Sequence, residues 1–368
     1  MRNKVISIIF CLILALGSST SILLPDKYYS ESEKRTLMQF PRLSLENIIG
    51  GDFGDEIEQY LADQFPGRND WVTLKTILER ASGKTEINGV YFADDNYLIE
   101  VHKSLPSKQA KNNISALKML SDALENEGIS LRVMLAPTAG YILSDKLPVF
   151  APNADQHAVI EYAKSQGLDM VDITDALMEH NKEYIYYKTD HHWTSLGAYY
   201  AYAAWLKSKG KLPEPITAWE SRQLCSNFRG TTYSKVNYPF APYDTIDAYY
   251  KSEKHEVNYN NGNYITDSIY EEKYLYGSDQ YATFFNSNQA TAKISGNGSG
   301  RLLIIKDSYA NCFAQFVLED YEETHLIDMR FFSGKVTDYI TENNITEVLV
   351  LYNIPNFCSD ISIARCCR

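Results

Sequence analysis

The chain of 368 residues is 45% hydrophobic and 22% charged, the proportions of a globular protein with a full core in one large domain or two modest ones. Its formal net charge of -12 argues against a nucleic-acid partner, because gripping phosphates takes clustered Lys and Arg. The 28 tyrosines stand out. Tyr joins a flat apolar face to a polar tip, which suits stacking on sugars and equally suits half-buried packing on a sheet.

Met1-Arg2-Asn3-Lys4 precedes an uncharged run from Val5 to Leu24. Positive residues ahead of an apolar run mark an export signal whose N-terminus stays cytoplasmic. Val5 to Leu16 has the length of a signal-peptide core, followed by Gly17, Ser18 and Ser19 as small residues for cleavage; the whole run is also long enough to span a bilayer uncleaved. Residues 1–27 are therefore a signal peptide or an N-terminal membrane anchor. Either way the rest lies outside the cytoplasm, and membrane contact is confined to this segment. Cys11 falls inside it. Cys225, Cys312, Cys358, Cys366 and Cys367 are odd in number and lack metal-type spacing, so one disulfide is allowed and the vicinal Cys366-Cys367 reads as a frayed end.

Residues 28–106 read as a helical and hairpin segment packed on the main domain. Ile57, Leu61, Phe65 and then Trp71, Leu74, Ile77, Leu78 are helically spaced on either side of Pro66-Gly67, which predicts two helices. Val90-Tyr91-Phe92 and Tyr97-Leu98-Ile99, around Asp94-Asp95-Asn96, predict a hairpin. From Ser107 the pattern becomes helix-then-strand: a helix over 108–126 ending at Gly128, the strand Leu131 to Ala136 stopped by Pro137, a helix over 154–166 ending at Gly167, and a strand over Met170 to Ile173. Strands alternating with helices imply an α/β fold with a parallel sheet covered on both faces, whose ligands gather at the carboxyl ends of the strands. Between 211 and 300 Tyr, Asn, Ser and Gly accumulate without periodicity, which predicts an insertion of loops and short antiparallel strands. The sheet resumes at Arg301 to Lys306, followed by a helix from Ala310, and closes with Glu323 to Met329 and Glu347 to Tyr352.

Two stretches carry chemistry. Asp190-His191-His192-Trp193 precedes Thr194 and Ser195, plausible N-caps of a helix that runs to Ser208 and closes at Gly210. On an extended segment Asp190 and His192 share a face and His191 points away. A carboxylate so placed fixes the tautomer of an imidazole and leaves its other nitrogen to act as a base. Asp307-Ser308-Tyr309 stands where an apolar strand hands over to a helix. A hydroxyl there sits at a positive helix start with backbone amides near it, the place for a nucleophile; the plain alternative is that Asp307 or Ser308 caps the helix. A metal site is the rival for Asp-His-His. It is disfavoured by the divergence of His191 from His192 and by the lack of His-x-His or His-Glu-x-x-His among these and His102, His157, His180, His255 and His325; His191 then reads as packed or hydrogen-bonded.

Thr-Asp190-His191-His192-Trp193-Thr, Lys-Asp307-Ser308-Tyr309 and Ala136-Pro137-Thr138 together resemble the DHHW family of exported bacterial proteins over about residues 30–355. More distantly the chain is similar to the SGNH-like O-acetyltransferases that modify alginate outside the cytoplasmic membrane. The resemblance implies an SGNH-hydrolase-like α/β domain over 107–368, with the Asp-x-His element ahead of the serine. It implies Ser308 as nucleophile, His192 as base and Asp190 as orienter. No carbohydrate-binding module follows, and no Gly-Asp-Ser or Gly-x-Asn block fixes the oxyanion donors; the Ser308 amide, Gly230 and Asn288 are candidates. Tyr309 joins them on the substrate side, as does Arg330, which would hold an acidic sugar or else a structural salt bridge. The function implied is transfer of acetyl groups to a cell-surface or exported polysaccharide, with a membrane protein delivering them and no cofactor. The alternatives are a secreted carbohydrate esterase and a non-catalytic glycan-binding protein on a dead scaffold, for which the Tyr-rich insertion would be the working surface.

Overall fold

The structure, a computed structural model, describes Val5, Ser7, Ile8, Cys11 and residues 24–30, 35–252 and 254–367. Most of residues 1–27, expected to be a signal peptide or membrane anchor, lie outside these residues, and among the described residues no helix is long and apolar enough to cross a membrane. The chain divides into two compact units, Met1–Asn88 with Tyr233–Phe240, and Gly89–Thr232 with Ala241–Arg368.

Among the described residues the first unit includes the helices α1 (Leu45–Gly50), α2 (Asp52–Asp63) and α3 (Arg68–Ala81). Gly67, at φ +66°, makes the left-handed turn into α3, the break that Pro66-Gly67 predicts. Thr76 and Thr73 on α3 donate to the Val236 and Asn237 carbonyls at 2.7 and 3.2 Å, and so hold the 233–240 stretch against that helix.

In the second unit the predicted hairpin forms from β1 (Val90–Phe92) and β2 (Leu98–Glu100). Then come α4 (Ser107–Glu125), β3 (Ser130–Ala136), α5 (His157–Ser165), α6 (Thr174–Glu179) and α7 (Ser195–Ser208). The stretch 211–300 contains the antiparallel pair β4 (Glu220–Phe228) and β5 (Asp244–Tyr250), then β6 (Val257–Tyr259), β7 (Tyr264–Thr266) and β8 (Thr291–Ser295). After it come β9 (Arg301–Lys306), α8 (Tyr309–Val317), β10 (Glu323–Ile327), α9 (Val336–Glu342), β11 (Glu347–Asn353) and α10 (Ile354–Ser359). Seven strands form the central sheet in the order β7-β6-β8-β10-β9-β11-β3. The strands from β10 to β3 run parallel, and β7, β6 and β8 extend the sheet antiparallel.

Period-two alternation sorts the strand residues to opposite faces. Leu302, Ile304, Leu349 and Leu351 join α7 and α8 on one face, while Leu303, Ile305, Val348 and Val350 join α4, α5, α9 and α10 on the other. Met170 to Ile173 departs from expectation. Only Met170 bridges to Val133, because the Asp172 carboxylate accepts the Thr174 amide at 3.0 Å and turns the chain into α6. The six cysteines are all free. Nor is the C-terminal pair frayed: Cys366 is fully buried in the core under α4 and α10.

Candidate active site

The β9–α8 corner presents a hydroxyl. Asp307, not Ser308, holds the helix start: its Oδ1 accepts the Tyr309 amide at 2.9 Å, and the Ser308 side chain caps nothing. The other Asp307 oxygen accepts the Asn353 amide at 2.9 Å, Asn353 Nδ2 at 3.0 Å and Asn356 Nδ2 at 3.1 Å. Burial pushes the Asp307 carboxyl upward while these donors pull it down. The Ser308 corner is thus bolted, through Asp307, to the end of β11 and the first turn of α10. Ser308 itself is half-buried, and its own amide meets no acceptor among the described residues.

Ser308 Oγ lies 2.8 Å from His192 Nε2, and His192 Nδ1 lies 2.5 Å from Asp190 Oδ1. Ionised Asp190 only accepts, so Nδ1 carries the imidazole hydrogen and Nε2 turns its lone pair to the hydroxyl. Asp190 is fixed by further donors, the His192 amide at 3.0 Å, the Thr231 amide at 2.7 Å and the Thr231 hydroxyl at 3.0 Å. Both Asp190 and His192 are buried.

The loop that carries them is held from β5. The buried Asp244 carboxylate accepts the Lys188 amide at 2.9 Å, the Thr189 amide at 2.8 Å, the Thr189 hydroxyl at 2.5 Å and the Tyr184 hydroxyl. Thr194 closes the loop by capping α7 through the Gly197 amide at 3.3 Å. Residues 188–192 form bends, not a strand. His191 therefore does not diverge: its ring lies 3.8 Å from that of His192, tilted by 37°, with Nδ1 at 2.5 Å from the Thr231 hydroxyl. That overturns the geometric objection to a cation, since oxygen and nitrogen atoms of Asp190, His191 and His192 lie within 4.8 Å of one another. Asp190 Oδ1 and both Nδ1 atoms are already engaged in the hydrogen bonds just described.

The two motifs also clasp each other. Trp193 Nε1 donates to the Tyr309 carbonyl at 2.9 Å, and the Tyr309 hydroxyl donates to the His191 carbonyl. Tyr309 is fully buried, so it braces the site from within and does not face a substrate. Gly230 packs its bare α-carbon onto Asp190, and its amide points to the Thr189 hydroxyl at 3.4 Å. Asn288 Oδ1 accepts Lys306 Nζ at 3.2 Å and Asn311 Nδ2 at 3.5 Å. Arg330 is paired with the buried Asp328 through Nε and Nη2, the structural salt bridge of its two readings. Ala136, Pro137 and Thr138 sit at the end of β3, beside Asn353 of β11, with the Thr138 amide held by Gln156 at 3.0 Å. Asp307 takes the capping role that the sequence offered it; sequence reasoning missed Thr231, Asp244, Asn353 and Tyr281, the last of which lies flat against His192.

A search of the curated proteins gives no match. Among solved structures, a DHHW family protein from Eubacterium siraeum is 26% identical and superimposes with a TM-score of 0.66, covering 76% of this chain and 95% of that one. Bacillus cereus PatB1, solved with a sulfonyl adduct, is 19% identical with a TM-score of 0.61, covering 74% of this chain and 98% of that one. The O-acetyltransferase domain of Pseudomonas putida AlgJ is a looser likeness, 13% identical with a TM-score of 0.49 over 76% of this chain and 98% of that one. The profile of the DHHW protein family spans residues 76–327, a stretch that contains Asp190, His192 and Ser308, and the chain belongs to that family.

Proposed function

We propose that this chain is an exported O-acetyltransferase that moves acetyl groups to a cell-surface or exported polysaccharide through Ser308, His192 and Asp190. The observation that carries this reading is the relay of 2.8 and 2.5 Å from hydroxyl to imidazole to carboxylate, with the hydroxyl spared from helix capping. As Ser308 Oγ attacks the acetyl carbonyl, His192 Nε2 takes its proton and Asp190 stabilises the imidazolium. The tetrahedral intermediate collapses, the donor's leaving group departs with that proton, and an acetyl-serine remains. A sugar hydroxyl then gives its proton to His192 and attacks the acetyl carbon, and His192 returns that proton to Ser308 Oγ as the acetyl–serine bond breaks. The Ser308 amide and the Asn288 side chain are the candidate oxyanion donors, aided by the positive start of α8.

A full triad at a strand-to-helix corner disfavours the dead-scaffold reading. The secreted carbohydrate esterase stands as second reading, because half-buried Ser308 is open to water as acceptor. The same triad runs both outcomes, and only exclusion of water from the acceptor site separates them.

PatB1 was solved with a sulfonyl adduct, and sulfonyl fluorides label activated nucleophiles, so they are the first probe here. Treatment with a sulfonyl fluoride or an activated acetyl ester should add its group at Ser308, found by mass spectrometry of peptides. Ser308→Ala and His192→Ala should each lower ester turnover by roughly 10³-fold or more. Acetyl on an oligosaccharide selects the transferase, and release to water alone selects the esterase. Binding of sugar without any label at Ser308 overturns the catalytic reading.

A further inference from the structure

The insertion contributes a side chain to the site for which the triad chemistry has no role. Tyr281 sits in a single turn of 3-10 helix, Gln280–Thr283. Its ring lies on that of His192 with centroids 3.8 Å apart and planes 12° from parallel. Its hydroxyl donates to the Ser308 carbonyl at 3.1 Å. One residue therefore touches both the imidazole and the peptide of the nucleophile. Tyr281 is itself braced, with the Tyr187 ring edge-on at 6.2 Å and the Phe284 ring at 5.3 Å, and is only 5% exposed.

An aromatic face carries partial negative charge and attracts a cation placed over it. A neutral imidazole gains little from such contact; an imidazolium gains more. His192 becomes an imidazolium at the moment Ser308 gives up its proton. We propose that Tyr281 is a positioning residue for the triad, a π platform that keeps the His192 ring in line with Ser308 and favours its protonated form during the reaction. The inference rests on the triad reading of Ser308, His192 and Asp190.

The other groups around His192 act from different directions. Asp190 meets Nδ1 and Ser308 meets Nε2. The His191 ring is tilted at 3.8 Å and the Tyr309 ring stands 5.3 Å away. The Cys312 thiol contacts the Tyr281 hydroxyl and, pushed up to about 12 by burial, stays neutral. Asp190 supplies charge at the ring edge; Tyr281 is the neighbour lying parallel to its face.

The test uses the full chain with labelled histidine, titrated by NMR, the His192 signal being assigned by its loss in His192→Gln. Tyr281 is replaced by Phe and then by progressively fluorinated phenylalanines, which keep the ring's shape while draining charge from its face. The His192 midpoint should fall steadily along the series, by on the order of 0.5–1 pH unit in total. The acidic limb of ester turnover should move with it, and Tyr281→Leu should lower kcat more than it raises KM. A midpoint that stays flat across the fluorinated series overturns the proposal, even with Ser308 fully active. A midpoint that falls in a protein showing no ester turnover supports the platform and sinks the triad reading instead.

Discussion

Between Gly230 and Asp190 there is room for a hydrogen and nothing larger. A β-carbon built on Gly230 would stand 2.1 Å from Asp190 Oδ2 and 2.2 Å from its Cβ, closer than real atoms approach. Gly230→Ala should push the carboxylate out of line and lower ester turnover by about 10²-fold, as displacements near 1 Å do, while circular dichroism remains that of the wild type. Retained turnover would mean that Asp190 is not held where it is needed. Thr231→Val removes the hydroxyl that donates to Asp190 and receives His191, and should lower turnover without altering the melting curve much. At this scale the sequence exposes the three side chains that the hydrogen bonds join, because Asp, His and Ser announce their chemistry by type. It does not expose what braces them. Gly230 attracts notice as a source of an amide, yet what Asp190 requires of it is a missing side chain. Tyr281 is one of 28 tyrosines, and Asp244 is one acidic residue in an aperiodic stretch; neither has a local signature of the loop it holds.

Thr194 shows how an element fixes the site. Its hydroxyl caps α7 through the Gly197 amide and donates to the Tyr184 carbonyl at 2.7 Å, so one side chain closes the loop that begins at Tyr184 and bears Asp190 and His192. Thr194→Ala should lower unfolding free energy by about 1–2 kcal/mol, measured by urea titration. The helix itself is legible: Thr194 as cap and Gly210 as stop bracket a run of apolar residues, and the observed α7 is Ser195–Ser208. The same holds for β9 and β11, whose continuous apolar runs belong to strands buried on both faces. Residues 188–192 are legible only in their chemistry. An extended segment is the expectation for Asp190 to His192, but Asp244, more than 50 positions away, accepts both the Lys188 and Thr189 amides and bends the chain. Contacts of such range leave no periodic trace.

The whole molecule should weaken in mild acid. His325 on β10 is fully buried, with Nδ1 2.9 Å from the Tyr339 hydroxyl, and burial pulls it down to about 4 from an ordinary 6.5. A depressed value means the folded state resists the second proton that the unfolded chain accepts. Its stabilising effect is therefore complete above pH 6.5 and is lost progressively as pH falls toward 4, by about 3 kcal/mol in all. Urea midpoints measured across that window should fall in the wild type and vary less in His325→Gln, each compared with its own value at pH 8. The strand order carries a different lesson. β11 lies between β9 and β3, and the Asn353 and Asn356 that anchor Asp307 come from it and from α10. Until β11 has emerged, a nascent chain thus lacks the strand that joins β9 to β3, and its hydroxyl corner has nothing to lean on. Closure of that corner therefore waits for β11 and α10, however early the elements before them have formed.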